Sequence, residues 1–317
     1  MTKLDIISGF LGAGKTTFIN KLLKYYIDSG LKPVCIVNEF GQTGLDARII
    51  EASGFSAVEM EGGCICCTLK DDISTAIMQV IDTFSPDRIV FEPSGIFIFD
   101  NFFDIVKSEE LKDKCEVGNV ITVVDSVNFN FAKAAYGGFI YNQIKNAPAI
   151  VLSKLESQAR PAPFPASQSE QTLSLDTVSF SVDELICDIR NISPNVFIAA
   201  KPWDDWDSAD FELLLSQKNL PREEHNAHCH SHLHSITLNP AAPFTREQLE
   251  RLIAHCNDGA FGDICRTKGV LNVDDELILL NIAMRDVTIT PFKGSCEQTL
   301  TFIGNSVCDD EIRRVAP

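Results

Sequence analysis

The chain has 317 residues, of which 45% are hydrophobic, and a formal net charge of −17. That length suggests about two domains, and the apolar content is enough for a packed core, which excludes disorder of the whole chain. The acidity argues against general nucleic-acid binding, which requires clustered Lys and Arg.

The chain opens with "LDIISGFLGAGKTTFINKLL", which reads as an apolar strand, a glycine-rich turn and a helix. Inside it lies the spacing G-x-x-x-x-G-K-T, formed by Gly9, Gly14, Lys15 and Thr16. Glycines let successive backbone N–H groups curl towards phosphate oxygens, and the helix N-terminus adds its positive end. Lys15 is placed to reach β- and γ-phosphates and Thr16 to ligate Mg²⁺. A nucleoside triphosphate is the expected ligand.

Apolar, β-branched segments follow at 33–40, 88–95, 119–126, 149–154 and 195–202, with helical patterns between them at 71–84 and 181–192. This alternation predicts an α/β fold of the P-loop NTPase kind, with a mostly parallel sheet covered by helices. Ligands of such sheets sit at the carboxyl ends of the strands.

Between a strand ending near Met60 and a helix starting near Asp71 comes "EGGCICCTLKDD". Three readings of Cys64, Cys66 and Cys67 stand on the residues alone: thiolates around one soft ion, a Cys64/Cys67 redox pair, or packing. Glu39 is a candidate to complete an ion's shell. The pair Asp71 and Asp72 is expected to cap the following helix. The phenylalanine-rich stretch 97–106 reads as a helix packed on the sheet, with a partner or dimer surface as the alternative.

Residues 157–174 are rich in Pro, Ser and Gln and read as a surface loop. From 204 to 232 the pattern breaks into an acidic, His-rich connector, with Trp203 and Trp206 marking its start. Five of the six histidines fall in "HNAHCHSHLH". In an extended segment His228, His230, His232 and His234 share one face, a spacing suited to a transition metal; a solvated linker is the alternative. His255, alone on its helix, reads as structural. The segment 233–317 is expected to be a small C-terminal α+β domain, against 1–203 for the nucleotide-binding domain.

No apolar run approaches the roughly 18 residues of a membrane span. The N-terminus lacks a signal-peptide pattern. A cytoplasmic protein is expected. In a reducing compartment the scattered cysteines are packing residues rather than disulfides.

The motifs "GFLGAGKTT", "NEFGQTGLD", "EGGCICCTL" and "EPSG", in this order and spacing, resemble the CobW family of SIMIBI-class P-loop GTPases, relatives of the nickel-insertion GTPases of hydrogenase and urease maturation. The tail, with "FTREQLERLI" and "ICRTKGVLNV", is similar to the CobW C-terminal domain. The resemblance implies a slow Mg²⁺-dependent GTPase that delivers zinc or cobalt to a client metalloprotein or cofactor-assembly enzyme, with a homodimer as an open possibility. From the charge and the lack of a long apolar run, no nucleic-acid or membrane partner is expected. The resemblance assigns the phosphate loop to Gly9, Gly12, Ala13, Gly14, Lys15, Thr16 and Thr17. The switch falls to Asn38, Glu39 and Gly41, the metal motif to Cys64, Cys66 and Cys67 with Glu39, and the sensor to Glu92 and Gly95. Lys15, Glu92 and Glu39 are the catalytic set. No arginine finger is evident beyond the candidate Arg48. Ser153, Lys154 and Glu156 stand where the family has its N-K-x-D base-reading motif. Ser153 is too short to replace the asparagine amide, so strict guanine choice is in doubt. Alternatives are a nucleotide-gated metal sensor or buffer, and an accessory ATPase of corrinoid assembly.

Overall fold

The computed structural model describes residues 1–38, 47, 50–51, 53–60, 69–99, 102–155, 181–217, 233–284, 286–292 and 297–315, and of 69–72 the backbone alone. Two compact units emerge, each with its own sheet and its own core.

The first unit is built on seven strands: β1 (Thr2–Ser8), β2 (Pro33–Val37), β3 (Ala57–Glu59), β4 (Arg88–Glu92), β5 (Cys115–Asp125), β6 (Ala149–Ser153) and β7 (Phe197–Ala199). Their order is β3-β2-β4-β1-β5-β6-β7, and every pairing is parallel. Parallel strands buried on both faces need continuous apolar runs. β6 is buried along its whole length, and β1 at every position but Lys3.

One face is covered by α1 (Lys15–Asp28), whose Phe18, Ile19, Leu22 and Leu23 are fully buried. The other face takes α2 (Leu69–Phe84) and the short α3 (Phe102–Val106). α2 begins at Leu69, so Asp71 and Asp72 lie inside its first turn rather than at a cap before it. The stretch 97–106 packs inward: Phe97, Phe99, Phe102 and Phe103 are all buried, with Phe91 and Phe102 stacked at 5.4 Å. Two helices, α4 (Phe129–Lys145) and α5 (Val182–Ile192), follow β5 and β6 in the chain.

Beyond β7 a 3-10 turn (Trp203–Asp205) and α6 (Ser208–Leu215) return to α1. Asp207 caps α6, its side chain accepting from Ala209 N and Asp210 N. Tyr25 stacks on Phe211 at 4.8 Å. The first part of the acidic stretch thus contributes to the core around α1.

The second unit is an antiparallel sheet in the order β11-β10-β9-β12-β8, made of β8 (His234–Leu238), β9 (Gly262–Val273), β10 (Glu276–Ala283), β11 (Asp286–Pro291) and β12 (Thr299–Val307). Two helices, α7 (Arg246–Asp258) and α8 (Asp309–Val315), pack on it through Leu249, Leu252 and Ile312. Thr245 and Gln248 form a capping box at the start of α7. His255 meets Phe261 edge-on at 5.2 Å.

Candidate functional site

The carboxyl ends of β1, β4 and β2 bring the candidate residues together. At the end of β1, Gly9 has φ +148, and a Cβ there would stand 2.4 Å from the carbonyl oxygen of Val123 on β5. Only glycine allows the turn to leave the sheet this closely. Gly14 is left-handed (φ 95) and stands directly before α1, so the first N–H groups of the helix open into the loop. Lys15 is buried, and its Nζ donates to the carbonyl of Phe10 at 3.4 Å, which holds the ammonium inside the loop.

Across the loop, Glu92 ends β4 at 3% exposure. The Thr16 hydroxyl lies 3.1 Å from Glu92 Oε1 and 3.3 Å from Oε2. The backbone N–H of Asn38 donates to the Glu92 carbonyl at 2.8 Å, so the start of the expected switch adjoins the same strand end. Met60, the last described residue before the cysteine motif, donates its N–H to Val37 O at 3.0 Å. Gly95 presses against the phosphate loop: an added Cβ would come within 2.6 Å of Leu11 N. Gly9, Gly12, Ala13, Gly14, Lys15, Thr16, Thr17, Asn38, Glu92 and Gly95 therefore share one end of one sheet.

Thr16 and Glu92 fit Mg²⁺. They offer oxygen donors alone, a hydroxyl and a nearly buried carboxylate already in mutual contact, and hard oxygen ligands are what that ion takes.

At the end of β6, Ser153 is buried, and its hydroxyl donates to Val124 O at 3.2 Å. Its carbonyl accepts from the Ser126 hydroxyl at 2.6 Å. Lys154 adopts φ +59 and pairs with Asp125. Ser153 is thus engaged with the end of β5.

Trp203, taken from sequence as a connector residue, stands at this site. A Cβ on Gly14 would lie 3.4 Å from Cη2 of Trp203 and 3.7 Å from Cβ of Ser153. Phe18 packs against the indole at 5.5 Å, and Lys21 holds the turn through Trp203 O and Asp204 Oδ1. The alternation of aromatic and acidic residues around Trp203 gave no sign of this, because its neighbours Gly14, Phe18 and Lys21 belong to the loop and α1.

Glu39, Gly41, Arg48, Cys64, Cys66, Cys67, Glu156, His228, His230 and His232 lie outside the described residues. His234 is described: it opens β8, exposed, paired with Gly304. Among the described residues no group of three or more His, Cys, Asp or Glu could hold a metal ion. Nor is any described helix long and apolar enough to cross a membrane.

Two cysteines outside the motif have a clear setting. Cys115 and Cys256 are free and buried, and burial pushes each thiol up to about 12.

Comparison with known proteins adds names to this geometry. The CobW from a Sinorhizobium species, described as a zinc chaperone, is 35% identical over 128 residues, covering 38% of this chain and 36% of its own. The zinc chaperone YeiR of Escherichia coli K12 is 30% identical over 154 residues, 49% of this chain and 47% of its own. The zinc-regulated GTPase metalloprotein activator 1 of Dictyostelium discoideum is 34% identical over 141 residues, 38% of this chain and 29% of its own. The chain thus spans about half or less of the length of these relatives. Residues 3–172 match the CobW/HypB/UreG nucleotide-binding domain, and residues 233–315 match the cobalamin synthesis protein cobW C-terminal domain. The chain belongs to the CobW/HypB/UreG family.

Proposed function

We propose that this protein is a Mg²⁺-dependent GTPase that couples nucleotide state to the loading and delivery of a transition metal. The observation that carries the reading is the phosphate loop closed by the Thr16–Glu92 contact, with Lys15 buried in it. Its arrangement suits a triphosphate. Backbone N–H groups from Gly9 to Thr17 would cradle the phosphates, and Lys15 would exchange the Phe10 carbonyl for β- and γ-phosphate oxygens. Thr16 and Glu92 would hold Mg²⁺ or its water shell, which would neutralise charge developing on the transferred phosphoryl group. Glu39 would orient the attacking water, and the Gly95 N–H would meet the γ-phosphate. With no arginine finger evident, turnover would be slow.

The cargo site in this reading is Cys64, Cys66 and Cys67, completed by Glu39, with His228, His230, His232 and His234 as a secondary loading segment. The relatives named above are zinc chaperones or zinc-regulated, which favours zinc over cobalt as cargo. The recipient would be a client metalloprotein in the cytoplasm. Engagement of the Ser153 hydroxyl by Val124 favours incomplete exclusion of ATP, because rejection of the wrong base depends on buried polar groups that pair only with the right one.

Phosphate release from GTP tests the catalytic half of this reading. Wild type with Mg²⁺ should turn over slowly. Lys15→Ala should lose nucleotide affinity by about tenfold to a hundredfold, the usual worth of a charged hydrogen bond. Equal release by the two proteins would remove the phosphate loop from the mechanism.

A further inference from the structure

Gln143, on α4, is 1% exposed and its carboxamide sits against the sensor segment. Nε2 donates to the Gly95 carbonyl at 3.0 Å and to the Phe97 carbonyl at 3.2 Å. The next residue back, Asn142, accepts from the Phe99 N–H through Oδ1 at 2.9 Å. Alternate backbone positions 95, 97 and 99 are therefore all tied to two consecutive amide side chains.

The same residue also faces the phosphate loop. The backbone carbonyl of Gln143 accepts from Thr122 Oγ1 at 2.8 Å, and Thr122 shares a hydrogen bond of 2.7 Å with the hydroxyl of Ser8, the residue before Gly9. About two turns earlier on α4, Tyr136 stacks on Phe10 of the loop at 5.0 Å. Tyr136 has non-helical angles (φ −133, ψ 31), and Gly137 and Gly138 follow it. Paired glycines are an ordinary cause of a helix kink. On the far side of the glycines Phe139 also meets Phe10, at 6.4 Å, so α4 touches the phosphate loop and the sensor segment together.

We propose that Gln143 is the positioning residue of the Glu92–Gly95 sensor and links its position to α4. This rests on the reading of Gly95 as the group that meets the γ-phosphate. Gly95 has Leu11 of the phosphate loop against its Cα and Gln143 on its carbonyl. A phosphate that attracts the Gly95 N–H turns the following peptide, and the carboxamide on its oxygen must follow. Simple filling of the space would need no donor, since a buried methionine or leucine packs as well; the two N–H groups answer two carbonyls that otherwise lose a partner in the interior. The distinction sets how Gln143 acts: it orients Gly95 and so favours triphosphate over diphosphate.

The test compares affinities for a non-hydrolysable GTP analogue and for GDP, both with Mg²⁺, in wild type, Gln143→Met and Ile144→Val. Ile144 is buried on the same helix and serves as the control for packing loss. In Gln143→Met the analogue-to-GDP preference should fall about tenfold, the size expected for about one lost net hydrogen bond, with GDP affinity held within about twofold. Ile144→Val should leave the preference where it was. A preference unchanged in Gln143→Met, or lowered equally in both variants, overturns the proposal while leaving nucleotide binding intact. Failure of wild type to bind either nucleotide would instead overturn the proposed function. Should Gln143→Met not fold, amide exchange of wild type decides the matter. Residues 94–99 and 138–145 should gain protection together when the analogue replaces GDP, and gain confined to 94–99 would refute the link.

Discussion

The two sheets handle buried polarity in opposite ways. The first unit buries Asp5 and Glu92 on its parallel sheet and Lys15 at the start of α1; among the described residues the antiparallel sheet of the second unit buries no carboxylate, and its interior polar groups include Thr267, Thr301 and Lys268. Within the parallel sheet the charges divide by position along the strands. Asp5, in the middle of β1, accepts from Tyr26 Oη at 2.7 Å, from Arg88 Nη1 at 3.1 Å, and from Asn119 N and Nδ2 at 2.7 and 3.1 Å. Lys15 and Glu92 stand at the carboxyl ends, where loops replace strand neighbours. Charge in mid-sheet is engaged by several strand and helix partners; charge at the strand ends meets a loop carbonyl and a hydroxyl, contacts of a kind a ligand can exchange.

Breaking the saturated network should have the largest effect. Asp5→Ala leaves Arg88 and Tyr26 facing an empty site, and loss of one partner from a buried pair typically costs about 3–5 kcal/mol. The urea midpoint should fall accordingly. Gly9 is four residues away, about 13 Å along the strand, so GDP affinity of the folded variant should stay within about twofold. A large loss of affinity at full stability would mean that Asp5 belongs to the ligand end after all.

A smaller effect should come from the second unit. Burial raises the Cys256 thiol from 9.0 to about 12, against an opposing hydrogen bond from Thr267. In the unfolded chain that thiol ionises as pH passes 9.0, while in the fold it stays neutral. The unfolded state then binds fewer protons, so stability is complete below pH 9.0 and declines towards 12. The slope from this group is at most about 1.4 kcal/mol per pH unit. Cys256→Val should flatten the melting-temperature profile above pH 9.0, and Cys115 and Tyr26, both raised by burial, should leave a residual slope of the same sign. A profile unaltered by Cys256→Val would contradict the assignment.

Much of this was legible in the sequence because local rules carried it. The strand, turn and helix of the phosphate loop follow from one contiguous stretch, and so does the placement of Gly9, Gly14, Lys15 and Thr16. The strand order was not legible: β1 lies between β4 and β5, and nothing within β1 names those neighbours. Gln143 escaped notice for the same reason, since its partners Gly95 and Phe97 are 48 and 46 residues away. Trp203 was misjudged because its surroundings in sequence are acidic, whereas its surroundings in space include Phe18, Gly14 and Lys21. Helix α2 starts two residues before the expected point because its first turn runs back through Leu69 and Lys70, where the aspartate pair had suggested a cap.

The central claim is that nucleotide state governs metal affinity, and a Zn²⁺ titration tests it most directly. Affinity would be measured with saturating GDP and with a non-hydrolysable GTP analogue, each with Mg²⁺, in wild type and in Cys64/Cys66/Cys67→Ala. The account predicts that the two nucleotide states of wild type differ about tenfold, a coupling of about 1.4 kcal/mol, and that the triple variant loses both the site and the difference. Identical Zn²⁺ affinity in the two states, or a site that survives without the three cysteines, would contradict it.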